Sequence, residues 1–168
     1  MLVIGIDPGT ASMGYGLVHE EEDGSLSAIA YGVIQTPAQQ PMQNRLLLLY
    51  QQLRQILFLH RPESSAVEKL FFARNTRTAL AVGQARGVAL LALAEDGLEL
   101  HEYTPLEVKQ AVTGYGGADK NQVQELVRAL LGLESIPKPD DAADALAIAI
   151  CHIHSHRLQL LVAGQEGE

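Results

Sequence analysis

The chain has 168 residues, a formal net charge of −8 and one cysteine, Cys151. This length suits one domain with a core of its own, and a lone cysteine excludes an internal disulfide framework and a cysteine-rich zinc site. No run of residues approaches the ~18 apolar positions of a membrane span, and the early Asp7 is atypical of a signal peptide. We therefore expect a cytoplasmic protein that does not contact a membrane. Net acidity alone argues against nucleic acid as a partner.

Three apolar runs in the first 35 residues predict an antiparallel meander. They cover residues 2–6, 13–19 and 27–34, and their connections are short enough for hairpins. After Pro41 the apolar residues recur at helical spacing, and this helix should end at Arg61-Pro62. The chain thus changes from strands to a helix near residue 41.

The rest of the chain predicts alternating strands and helices. The strands cover residues 65–68 and 98–103, and the helices cover 76–94, 105–112, 119–131 and 140 to about 156. Pro105 suits a helix start, and Asp119 with Gln122 predicts a capping box. Right-handed crossovers should place strands four and five beside strand one. We therefore expect an α/β fold over residues 1–157, a mixed five-stranded sheet with helices on both faces, and a flexible tail over 158–168.

Carboxylates occupy three unusual places. Asp7 and Glu68 each end a predicted apolar strand, and Asp141 and Asp144 share one face of the last helix. Ordinary explanations exist: a turn residue at Asp7, an exposed strand end at Glu68, and matching of the helix dipole at Asp140 and Asp141. Asp144 fits the dipole explanation poorly because it begins the apolar stripe of its helix. Since open α/β sheets place sites at the carboxyl ends of strands, we expect Asp7, Glu68, Asp141 and Asp144 to form one cluster.

Such a cluster would repel itself without cations. Ligands that are all oxygen suit Mg²⁺ or Mn²⁺ rather than zinc. Two such ions a few ångströms apart support in-line displacement at a phosphodiester. The carboxylates therefore predict two Mg²⁺ or Mn²⁺ ions per subunit and a nuclease-type hydrolysis.

Five motifs follow one another over residues 1 to about 157. They are Gly5-Ile6-Asp7-Pro8-Gly9-Thr10 with Gly14-Tyr15-Gly16, Ala66-Val67-Glu68, Gly83-Gln84-Ala85-Arg86-Gly87-Val88-Ala89, Val108-Lys109-Gln110, and Asp141-Ala142-Ala143-Asp144-Ala145-Leu146-Ala147. In this order they resemble the RuvC family of bacterial Holliday junction resolvases, which are metal-dependent endonucleases with a ribonuclease H-like fold.

The resemblance implies roles for the chain and its partners. It implies that Asp7, Glu68, Asp141 and Asp144 are the catalytic metal ligands. It also implies a homodimer that nicks two opposing strands of a four-way junction symmetrically, leaving 5′-phosphate and 3′-hydroxyl ends. The family works with the RuvA–RuvB branch-migration complex, and the resemblance places the dimer interface on the helix at 76–94.

The segment after Glu68 is the best candidate for DNA contact. Residues 69–94 contain four basic residues and no acidic one, so net acidity does not exclude DNA as a partner. The segment combines cations for phosphates with aromatic rings that can stack on unpaired bases. The candidate residues are Lys69, Phe71, Phe72, Arg74 and Arg77. The alternative is that both phenylalanines lie in the core and the arginines are solvated.

Two further residue sets need an interpretation. The resemblance implies phosphate or transition-state contacts for Lys109 and Lys120, and Lys120 is a candidate catalytic residue. At residues 151–156, His152 and His156 share a helix face. We expect a helix-end surface there rather than a metal site, with Cys151 as a small buried hydrophobe.

Three other functions stay open. Actin-like ATPases share the Asp-x-Gly-Thr hairpin found at residues 7–10, but they need two such domains. A ribonuclease H-like nuclease acting on RNA–DNA hybrids would keep the carboxylates without needing a dimer. A scaffold that binds junctions without cleaving them would have lost carboxylates, whereas all four matching positions are acidic.

Overall fold

A computed structural model describes residues 1–69 and 76–165, with no side-chain description at residues 76, 77 and 163–165. Within these residues the strands are β1 (Leu2–Asp7), β2 (Ser12–Glu20), β3 (Leu26–Gln35), β4 (Ser64–Glu68) and β5 (Leu100–Tyr103). The helices are α1 (Met42–His60), α2 (Thr76–Glu95), α3 (Pro105–Thr113), α4 (Lys120–Leu130) and α5 (Asp140–Gln165).

The strands form one sheet in the order β3-β2-β1-β4-β5. Strand β2 pairs antiparallel with β1 and β3, whereas β4 pairs parallel with β1 and β5. The predicted mixed sheet is thus confirmed, and so is the position of β4 and β5 beside β1. Because β1 and β4 are parallel neighbours, Asp7 and Glu68 lie at the same edge of the sheet.

Helices cover both faces of the sheet, as the sequence predicts. Successive residues of β1 point to opposite faces. Ile4 belongs to the core formed with α1 and α2, which includes Leu53, whereas Val3 belongs to the core formed with α3, α4 and α5, which includes Ile150. Each face therefore has its own apolar core, and the carboxylate-bearing helix α5 belongs to the layer of α3 and α4.

Helix α5 lies almost backbone to backbone on β1 and β2. A Cβ atom added at Gly5 would stand 2.1 Å from the carbonyl oxygen of Ala145, and one at Gly14 would stand 2.0 Å from that of Asp141. Cβ contacts below 3.0 Å essentially never occur, so these positions accept only glycine. The close approach brings the first turns of α5 against the carboxyl end of β1.

Helix α5 is longer than the sequence predicts. It continues to Gln165, whereas the pattern places its end near His156. By length and composition alone, the described stretch Asp140–Val162 would suffice to cross a bilayer, but half of its apolar window is buried inside the protein. Cys151 is among the buried residues, as expected. The first part of α5, up to Ile153, belongs to the core on this face of the sheet, whereas Leu158, Leu160, Leu161 and Val162 near its end are exposed.

The far part of α5 is tied to the β2–β3 hairpin. The guanidinium of Arg157 forms an ion pair with Glu20 and donates to the carbonyl oxygen of Gly24 at 2.5 Å. These contacts lie beyond the predicted helix end. They give a physical reason for the longer helix, because the hairpin offers a partner that sequence periodicity does not reveal.

The expectation of a helix-end surface is wrong for His152, which is 2% exposed. Its Nε2 atom lies 2.8 Å from the hydroxyl of Ser64, and its Nδ1 atom lies 2.8 Å from that of Tyr103. Burial, with His101 and His156 nearby, lowers the pKa of His152 to about 4. A neutral imidazole, with one nitrogen donating and the other accepting, therefore joins α5 to β4 and β5.

Candidate active site

Three aspartates meet at the carboxyl end of β1. Asp7 is the last residue of β1, and Asp141 and Asp144 lie in the first turns of α5. One carboxylate oxygen from each lies within 4.8 Å of the others. Hard cations such as Mg²⁺ and Mn²⁺ prefer oxygen ligands of this kind. The donor set therefore fits a metal-dependent active site.

Glu68 stands beside this group of three. It ends β4, the parallel neighbour of β1, and lines the same cavity as Asp144. Among the described residues, Glu68 does not belong to the group of three aspartates whose oxygens lie within 4.8 Å of one another. Its negative charge nevertheless contributes to the raised pKa of Asp7. The four predicted carboxylates thus share one edge of the sheet, with three in close contact and Glu68 at their side.

Burial and crowding of negative charge favour the protonated forms of Asp7, Glu68 and Asp144. Burial first, then repulsion by Glu68, Asp144 and Asp141, raises the pKa of Asp7 to about 7, against an opposing effect of Lys120. Burial also raises the pKa of Glu68, with Asp144 contributing, and it raises the pKa of Asp144 although Lys120 opposes it. Divalent cations that replace these protons would relieve the repulsion.

Lys120 brings a positive charge to the site. It is the first residue of α4 and follows Asp119, whose side chain accepts from the backbone N–H of Gln122 while Gln122 binds the Asp119 N–H. The predicted capping box is therefore confirmed. The Lys120 ammonium lies 3.2 Å from Asp140 and 3.3 Å from Asp144. Burial opposes its charge, but attraction to Asp144 and Asp140 outweighs burial and raises the pKa of Lys120.

A cavity of about 240 Å³ opens beside the carboxylates. Glu68, Asp144, Lys109 and Lys120 supply its charged lining. Its apolar lining consists of Pro105, Val108, Val123, Ala147 and Ile148. Both lysines singled out in the sequence therefore reach the same space as two of the carboxylates.

The predicted DNA-binding segment is described only in part. Lys69 is exposed directly after β4. Phe71, Phe72 and Arg74 lie outside the described residues, and Arg77 is described in its backbone alone. DNA contact by this segment stays a prediction.

Sequence reasoning missed the second role of Asp140. The sequence explains this residue by the helix dipole alone, but its carboxylate also pairs with Lys120 and Lys138. Gln124, Lys138 and Lys120 lie close enough to hold the pKa of Asp140 below its usual value. Because Nε2 of Gln124 makes no hydrogen bond among the described residues, the two lysine ion pairs are the contacts that fix this carboxylate. A signal was present, because a lysine at the start of a helix is electrostatically unfavourable and favours an acidic partner nearby.

Known proteins of one family match the chain along nearly its whole length. The family model described as crossover junction endodeoxyribonuclease RuvC matches residues 3–152. A relative of that name from Desulfitobacterium hafniense (strain DSM 10664 / DCB-2) is 61% identical over 158 residues, which cover 94% of this chain and 95% of the relative. Another, from Chloroflexus aurantiacus (strain ATCC 29366 / DSM 635 / J-10-fl), is 62% identical over 155 residues, covering 92% of this chain and 94% of the relative.

A solved structure agrees with these sequence matches. The structure of T. thermophilus RuvC in complex with a Holliday junction substrate is 38% identical to this chain and superposes with a TM-score of 0.90. The match covers 95% of this chain and 96% of that one. The resemblance that the five motifs predict is thereby confirmed. The chain belongs to the RuvC family of crossover junction endodeoxyribonucleases.

Proposed function

We propose that this chain is a metal-dependent endonuclease that resolves Holliday junctions in DNA recombination and repair. The observation that carries the proposal is the close group of Asp7, Asp141 and Asp144 in a chain whose relatives are named crossover junction endodeoxyribonucleases. The match along residues 3–152 favours this activity over an ATPase of the actin-like kind and over a scaffold without cleavage.

The proposed reaction is hydrolysis of a phosphodiester by two Mg²⁺ or Mn²⁺ ions per subunit. Asp7, Glu68, Asp141 and Asp144 would hold the ions. When bound, the ions would supply activation of water and neutralisation of charge on the leaving oxygen. The oxygen of a water molecule would form a bond to phosphorus while the bond from phosphorus to the 3′ oxygen breaks. The 3′ oxygen would leave as a hydroxyl that carries a proton from the water, and the phosphate would stay on the 5′ oxygen of the next nucleotide, so a ligase can seal the nick.

Lys120 has a separate task in the proposed reaction. Its ammonium lies at the rim of the cavity, 3.3 Å from Asp144. A positive charge held there can stabilise the negative charge that develops on the scissile phosphate in the transition state. Lys109, on the same cavity, would bind a phosphate of the same strand.

We propose a homodimer, whose two sites nick opposing strands symmetrically. The exposed face of α2 supports this, because Leu80 and Leu91 are 67% and 55% exposed. Gly87 lies between them on the same face, and an added Cβ there would meet nothing within 4 Å. An apolar helix face with room at its centre suits a second copy of the same helix across a twofold axis.

The remaining assignments are extensions of the same proposal. Residues 1–157 would form one nuclease domain, with 158–168 beyond it, although α5 continues to Gln165. The chain would act in the cytoplasm with the RuvA–RuvB branch-migration complex and without membrane contact. DNA would be bound by Lys69, Phe71, Phe72, Arg74, Arg77, Lys109 and Lys120.

A synthetic four-way junction tests the proposal. In Mg²⁺ the wild type should make paired nicks that a ligase can seal, whereas Asp7→Asn should bind the junction without cutting it. Glu22→Gln, which removes one exposed charge from the β2–β3 hairpin, is the matched control and should cut like the wild type. Equal cutting by wild type and Asp7→Asn would contradict the carboxylate mechanism. Cleavage of RNA–DNA hybrids in place of junctions would favour the ribonuclease alternative.

A further inference from the structure

We propose that Asp140 is a positioning residue for Lys120 and holds its ammonium at the edge of the catalytic carboxylates. This inference rests on the proposed function of the site and adds a residue that stands outside the predicted ligand set. Asp140 would touch neither the substrate nor a reacting atom. It would act through the lysine alone.

The first support is the way in which Asp140 is itself held. One of its oxygens lies 3.2 Å from the ammonium of Lys138, and the other lies 3.2 Å from that of Lys120. Because each oxygen has its own lysine, a movement of the carboxylate away from Lys120 would also disturb its contact with Lys138.

The second support is that Lys120 needs such a partner. The capping box of Asp119 and Gln122 fixes the backbone at the start of α4, but the lysine side chain is 53% exposed and has several rotatable bonds. The positive end of the α4 dipole also repels an ammonium at this position. A carboxylate beside the ammonium restricts the rotation of the side chain and offsets the repulsion by the helix dipole.

The third support is that the two acidic partners of Lys120 differ. Asp144 belongs to the group of three aspartates, whose oxygens are the candidate metal ligands. In the described part of the chain, Asp140 is not a member of that group. Asp140 therefore stays available to Lys120 whatever Asp144 binds. Without Asp140, the lysine would lose the acidic partner that stays with it when Asp144 binds a cation, and its ammonium would leave the site.

A double-mutant cycle tests this role under single-turnover conditions, with junction affinity measured separately. Misplacement of a catalytic group by about 1 Å can cost up to ~100-fold in rate, so we expect Asp140→Asn to lower the cleavage rate about tenfold with junction affinity nearly unchanged. In a Lys120→Ala background, Asp140→Asn should cause no further loss. Asp140→Glu, which restores the charge, should recover part of the rate. Glu125→Gln, which removes an acid paired with Arg128 on α4, should match the wild type.

Mg²⁺ binding followed by calorimetry gives a readout independent of cleavage. Asp140→Asn should bind Mg²⁺ with the affinity of the wild type, whereas Asp141→Asn should lose affinity. Additive losses in the cycle would overturn the proposal, and so would a wild-type rate for Asp140→Asn or a loss of Mg²⁺ affinity equal to that of Asp141→Asn. If the wild type cuts no junction, the proposed function fails; if it cuts and the cycle is additive, this inference alone fails.

Discussion

Replacement of Asp7 by asparagine should stabilise the protein in the absence of divalent cations. Burial and neighbouring carboxylates raise the pKa of Asp7 from 3.8 to about 7. At 1.36 kcal/mol per pKa unit, a shift of roughly three units corresponds to about 4 kcal/mol for ionising Asp7 in the folded chain. Asparagine keeps the shape of the side chain and removes this charge.

The pH range of this effect follows from the direction of the shift. The folded protein holds the Asp7 proton more tightly than the unfolded chain does. The destabilisation is therefore absent below about pH 4, grows between pH 4 and 7, and is complete above pH 7. In EDTA at pH 8, Asp7→Asn should exceed the wild type in free energy of unfolding by up to about 4 kcal/mol, or roughly 10 °C in Tm for a domain of this size. At pH 4.5 the gain should be small.

Urea unfolding at pH 4.5, 6 and 8, with EDTA or with Mg²⁺, measures the effect. Saturating Mg²⁺ should stabilise the wild type and leave Asp7→Asn nearly unchanged. Glu22→Gln, which removes an exposed charge, serves as the control for net charge. The reasoning would be refuted if Asp7→Asn were no more stable than the wild type at pH 8 in EDTA, or if Mg²⁺ stabilised both equally.

Three more predictions follow from the contacts described above. Gly14→Ala should move α5 off the sheet, because the new Cβ would meet the carbonyl oxygen of Asp141 at 2.0 Å; we expect a loss of about 1–3 kcal/mol in urea unfolding and little stabilisation by Mg²⁺, and a wild-type Mg²⁺ response would contradict this. The lowered pKa of His152 makes the wild type lose stability as the pH falls from 6.5 towards about 4. His152→Gln cannot become charged and should flatten that loss, so identical pH profiles would exclude the buried ring as its cause. Phe71→Ala should weaken junction cleavage more than duplex binding, measured by single-turnover cleavage and by titration, and unchanged cleavage would place Phe71 in the core.

Local patterns account for what the sequence could predict. A strand that ends in a carboxylate can be recognised without a structure, and the order of the sheet follows from connection rules. Asp7 and Glu68 were found in this way. The spacing of Asp141 and Asp144 predicts that both lie on one helix face. In the structure this face meets the carboxyl end of β1, where Asp7 lies.

The features that escaped prediction depend on contacts between distant parts of the chain. The ring of the buried His152 is hydrogen-bonded to Ser64 and Tyr103, which lie 88 and 49 residues away in sequence. The pairing of Asp140 with Lys120 likewise joins two helices. Periodicity within one helix carries no record of such partners, so it predicts a helix-end surface at His152 and only matching of the helix dipole at Asp140.

The contact of α5 with the sheet through Gly5 and Gly14 makes the spacing of the catalytic carboxylates independent of the packing that sets thermal stability. Where helices pack through side chains, a change of residue volume shifts the helix. Here backbone atoms meet, so their radii set the spacing between Asp7 and the aspartates of α5. The apolar layer under α1 and α2 lies on the opposite face. Engineering of that layer could therefore raise or lower thermal tolerance while the catalytic geometry stays the same.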